Sequence, residues 1–172
     1  MSEATLLMTL RLVHIISGAL WVGAVVFLAM YLIPTIRALG PNGGRILQQL
    51  KMRRFPLYMG SLPGLVLLSG IAMYVHASMI TRGAFNRSHT GMALGIGGVL
   101  ALLATIIGGA VAGRSADALT ALDTDVQTTG GTPSATQTQE MLRLQARLAS
   151  GSKTVVVLVL LTTALMAIAR YL

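Results

Sequence analysis

Cysteine is absent from this 172-residue chain, and charge is scarce, with only 10% of residues Asp, Glu, Lys or Arg. The missing thiols exclude disulfides, thiolate metal sites and covalently attached c-type haem in one step. Carboxylates are scarcer still. The five of them, Glu3, Asp117, Asp123, Asp125 and Glu140, all lie near a terminus or between apolar runs. A proton relay through buried acids, a Ser-His-Asp triad and two-carboxylate hydrolysis therefore have no residues to work with. Imidazole, thioether and arginine chemistry remain.

Apolar residues are abundant. The chain is 54% hydrophobic and its mean hydropathy is +0.74, which is wrong for a soluble domain and points to an integral membrane protein. Four stretches, 8–33, 56–80, 89–113 and 153–171, approach or exceed the roughly 20 residues that a helix needs to cross the hydrocarbon core. The expected fold is all-α, a single membrane domain built as a four-helix bundle. Pro34 and the pair Gly43-Gly44 in "LIPTIRALGPNGG" are read as ending the first span. With no basic n-region ahead of it, that span is expected to act as its own membrane signal.

Residues 114–152 contain "DTDVQTTGGTPSATQTQ", a low-complexity tract with too little apolar content to pack by itself, and a flexible cytoplasmic loop is expected there. In the following "EMLRLQARLAS", Met141, Leu144 and Leu148 recur at helical spacing opposite Arg143 and Arg147, suiting a short amphipathic helix or an extension of the fourth span.

The net charge of +8 raises nucleic acid as a partner, but the basic residues fall in the connections, where membrane orientation accounts for them. Nine of the thirteen lie in the first and third connections: Arg37, Arg45, Lys51, Arg53, Arg54, Arg114, Arg143, Arg147 and Lys153. The other side holds Arg11, Arg82, Arg87 and Arg170. Positive charge is retained on the cytoplasmic side, so both termini are expected outside, in a bacterial inner membrane.

That topology brings His14, His76 and His89 to the same outer face. His14 sits in "RLVHIISGALWVG", with Ser17, Gly18 and Trp21 following at helical spacing; on that reading Gly18 leaves room beside the ring for a flat macrocycle. Ser69, Met73 and His76 form one stripe, and His89 is followed by Gly91, Met92 and Gly95. Gly91/Gly95 and Gly109/Gly113 also have the spacing of close helix packing in membranes.

Two cofactors suit these donors. Haem b takes one or two axial imidazoles in an apolar cage, with cations near its propionates. His14 with His76 or His89 can supply the first, and Arg11, Arg82 and Arg87 the second. Copper(I) prefers thioether with imidazole. "MYVHASM" offers Met73, His76 and Met79, and His89 with Met92 repeats the three-residue spacing. A third class is an accessory subunit without cofactor, its Gly-rich third helix packed against a larger membrane complex. The lipid bilayer is the expected surrounding; a redox partner, a membrane complex and a homodimer are all compatible with the sequence.

"LVHIISGALWVGAVVFLAMYLIP", "MRRFPLYMGSLPGLVLLSGIAMY" and "SHTGMALGIGGVLALL" resemble the first three helices of small four-helix membrane proteins, the HemJ-type protoporphyrinogen oxidases and CopD-type copper resistance proteins. The resemblance implies haem b, with His14 at the position of the proposed axial ligand in the first helix and His76 a candidate for the other axial position. It also implies a redox role, as an electron carrier or a haem-dependent oxidoreductase. The HemJ type begins its third helix with His, one residue, then a Lys implicated in activity; here these positions are His89 and Gly91. That departure argues against protoporphyrinogen oxidation. The CopD likeness keeps copper uptake or tolerance as the alternative.

Overall fold

The structure is a computed structural model that describes residues 2–40 and 43–172. Six helices make up the fold: α1 Glu3–Ala38, α2 Gly43–Met52, α3 Phe55–Ile80, α4 Ala84–Arg87, α5 His89–Thr128 and α6 Ala135–Tyr171. No strand occurs among the described residues. α1, α3, α5 and α6 run alternately up and down as a bundle, α1 against α3 and α5 against α6, with α3 also against α5 and α6 against α1.

Each of these four helices is long and apolar enough to span a membrane, and at most 28% of any spanning window is buried inside the protein. The remainder turns outward large apolar side chains such as Met8, Ile15, Phe27, Leu68, Ile71 and Val99. A belt of that kind is unstable against water and stable against hydrocarbon, so the chain is an integral membrane protein.

The inward stripe is narrow and built mostly of alanine and valine around Trp21 and Leu62. Trp21, Val25 and Ala29 of α1 meet Leu62 and Val66 of α3, Ala101 and Ala104 of α5, and Val155, Val156 and Val159 of α6. Hydrocarbon outside removes most of the hydrophobic drive for helices to associate, so close fit holds them together. Thr162 adds a buried hydrogen bond, 3.3 Å from its hydroxyl to the Gly97 carbonyl across α5 and α6.

Two expectations are corrected. Pro34 does not end the first helix, which continues to Ala38. The stretch Leu28–Leu32 just before it is π-helical, and this wider turn relieves the clash that a proline ring makes with the preceding turn. Residues 114–152 are not a flexible loop. They extend α5 to Thr128 and begin α6 at Ala135, forming an antiparallel helical hairpin beyond the spans. Leu119 and Val126 on one arm meet Met141, Leu148 and Ala149 on the other, with Ile33 of α1 closing the cluster. The turn between the arms uses Gly130 and Gly131 in positive-φ backbone, at +123° and +78°. Ser134 then starts α6 through a capping box with Gln137.

α2 leans on the hairpin through Asp123, which is 5% exposed. Its carboxylate accepts a 2.7 Å hydrogen bond from Gln127 and lies against the first turn of α2, where a Cβ on Gly44 would fall 2.6 Å from its Cγ. A helix N-terminus favours a negative charge at that place. Asp123→Ala removes this hydrogen bond and the charge beside α2, and is expected to cost about 1 kcal/mol, with faster proteolysis between residues 114 and 152. Unchanged proteolysis and melting would mean that Asp123 does not secure the hairpin.

Candidate functional site

All three histidines lie in the half of the bundle that holds both termini, each at a different depth and in a different setting. His14, half-buried on α1, faces α3: its Nδ1 is 2.9 Å from the Val66 carbonyl and 3.2 Å from the Ser69 hydroxyl. A carbonyl only accepts, so in the neutral imidazole Nδ1 carries the proton and Nε2 the lone pair. Ser69 donates its own hydrogen to the Leu65 carbonyl, leaving a lone pair for His14. The ring lies over Gly70, where a Cβ would come within 2.9 Å of its Cε1. Glycine at 70 is thus what lets the imidazole lie between the two helices.

His76 is further along α3, and its Nε2 stands 3.2 Å from the Glu3 carboxylate. The alignment is too poor for a hydrogen bond, and this buried nitrogen has no other partner among the described residues. The proximity is therefore a close approach of the two side chains rather than a made hydrogen bond. His89 is exposed at the first turn of α5, behind the Ser88 cap. From Gly70 to His76 is about 9 Å along the helix at 1.5 Å per residue. His14 and His76 thus stand at different depths with different partners, and the described residues contain no cluster of three or more His, Asp or Glu that could hold a metal ion.

Other predicted residues separate in the same way. Arg11, Arg82 and Arg87 are exposed at this end, and none has a carboxylate partner among the described residues. Gly18 faces α3, where a Cβ would sit 3.9 Å from the Val66 side chain, an ordinary van der Waals distance. Met73 is half-buried, whereas Met79 and Met92 are 72% and 45% exposed. Gly91 has a structural cause. A Cβ at that position would collide with the Phe85 carbonyl, because the α4 turn folds back over the start of α5.

Trp21, on the same face of α1 as His14, belongs to another feature. It lines an apolar cavity of about 360 Å³ in the opposite half of the bundle, bounded by α1, α2, α3, α5 and α6. None of the three histidines reaches it. Sequence reasoning missed this cavity, since its walls come from four spans and are lined by ordinary small and aliphatic residues.

Comparison with protein-family models, curated proteins and solved structures yields no match.

Proposed function

We propose that this membrane protein binds haem b through His14 near its outer face and takes part in electron transfer or small-molecule redox chemistry there. The observation that carries the reading is the Nδ1–H donation of His14 to the Val66 carbonyl, which leaves Nε2 as the ligating nitrogen. A metal-bound imidazole is commonly oriented by such a bond from its other nitrogen. One axial ligand of this kind fits the residues present; a facing His14 and His76 pair does not follow from their different depths. Haem b, when bound, supplies one-electron redox chemistry. The chain's own part is to hold the ring by Val66, Ser69 and Gly70, to present Arg11, Arg82 and Arg87 to carboxylates at the surface, and to exclude water with the bilayer. The distribution of Lys and Arg supports an orientation with both termini outside the cytoplasm, in a bacterial inner membrane.

The test is an absorption spectrum of the detergent-purified protein, oxidised and dithionite-reduced, with metal analysis. A Soret band that sharpens on reduction, with iron at one equivalent or less, is the expected result. Stoichiometric copper would replace this reading with the copper-tolerance one. A preparation that stays colourless after haem reconstitution and carries no metal would leave the accessory-subunit reading.

A further inference from the structure

The cavity around Trp21 lies where three departures from regular helix geometry meet. α1 is π-helical over Leu28–Leu32 and α5 over Gly108–Gly113, and both segments line it. α3 contributes Pro63, whose nitrogen has no hydrogen to give the Met59 carbonyl one turn earlier; both residues are in the wall. Farther toward the histidines the core is filled by Ala101 and Val159, neither of which lines the cavity. π segments in α-helices frequently mark functional sites. The volume, about 360 Å³, is at the lower end of the roughly 300–1,000 Å³ usual for small-molecule sites.

Thr105 and Thr120 in the wall donate back to their own helix, at the Ala101 and Ala116 carbonyls, and Ser152 differs from them. Ser152, only 8% exposed, lines the cavity and its hydroxyl has no hydrogen-bond partner among the described residues. At the mouth, Lys51 and Asp117 form an ion pair at 3.5 Å, with side chains 55% and 66% exposed. Exposed pairs contribute little, so Lys51 is able to exchange Asp117 for another anion. Arg53 and Arg54 immediately precede the lining residues Phe55 and Pro56, making this rim basic.

We propose that the cavity holds an acyl chain of an anionic membrane lipid whose headgroup is held by the Lys51 ammonium. Hydrocarbon fills the apolar wall, the Ser152 hydroxyl faces the ester region, and the phosphate lies at the basic rim. A choline headgroup would bring its own cation to Arg53 and Arg54, so an anionic head is selected over a zwitterionic one. This site is separate from the histidines and stands whether or not His14 binds haem.

Trp21 is the only tryptophan of the chain, and it reports on its own cavity. The full-length protein is placed in bilayers containing acyl-brominated phosphatidylglycerol or acyl-brominated phosphatidylcholine, and quenching of Trp21 emission is followed against mole fraction. Phosphatidylglycerol is expected to reach half-quenching at about one-fifth the mole fraction that phosphatidylcholine needs, the preference of one lysine contact. Lys51→Gln should abolish the preference, while Asp117→Asn, which breaks the same ion pair, should keep it. Gly109→Leu places a side chain where a Cβ meets nothing within 4 Å and should suppress quenching by both lipids. Equal half-quenching by the two lipids in the unmodified protein would overturn the proposal. So would a preference that survives Lys51→Gln, or quenching indifferent to Gly109→Leu.

Discussion

Replacing His14 with alanine is expected to abolish the haem spectrum, whereas His76→Ala and His89→Ala leave it in place. The asymmetry follows from geometry: only His14 has an imidazole whose tautomer is set by a backbone acceptor, at 2.9 Å from Val66. Gly70→Val should reproduce the loss without touching the ligand. Even the first added carbon would stand 2.9 Å from the His14 Cε1, and the ring has to leave its position between α1 and α3. Ser69→Ala removes only the longer contact, 3.2 Å, and should shift the reduced spectrum or potential modestly. Retention of an unaltered spectrum in His14→Ala would remove His14 as the ligand; loss in His76→Ala would transfer the role to the nitrogen beside Glu3.

The second large effect concerns Gly91, in the first turn of α5. Gly91→Lys is expected to destabilise the protein by about 3 kcal/mol, the upper part of the usual range for overpacking. At roughly 2–4 °C per kcal/mol for a chain of this size, the midpoint of thermal unfolding should fall by about 6–12 °C. The obstacle is the Phe85 carbonyl, a backbone atom of the α4 turn, so it cannot swing aside as a side chain would. Gly91→Ala should therefore cost nearly as much as Gly91→Lys, because the Cβ is what collides. A lysine variant as stable as the parent in detergent would mean that the α4 turn does not fold over α5 in this way.

Much of the architecture is legible in the sequence because the bilayer imposes it. Runs of about 20 apolar residues mark the spans, and the histidines come to one half of the bundle because an even number of crossings returns the chain to its starting side. The hairpin over 114–152 was obscured by its threonine and glutamine content. Its signals were nonetheless present: Leu119 and Val126 stand seven apart, as do Met141 and Leu148, and Ser134 with Gln137 has the spacing of a capping box. The settings of the histidines were not legible in the same way. Gly70 matters only because His14 lies over it, and Gly91 only because Phe85 folds back, contacts that depend on how separate segments meet. The cavity is further removed still, since "LAMYL" and "GGAVAG" carry nothing that announces a π turn.

The continuity of α5 and α6 also bears on the order of assembly. These helices run 40 and 37 residues and are joined across residues 129–134, so their pairing closes a very short loop at small entropic cost. Contacts near in sequence form fastest, and the α5/α6 pair can zip from the aqueous tip inward along one uninterrupted seam. The clasp of α1 on α3 must close a longer connection, residues 39–54, before His14 can reach Val66. On connection length, pairing of α5 with α6 is expected to precede the clasp of α1 on α3, and with it the His14–Val66 contact.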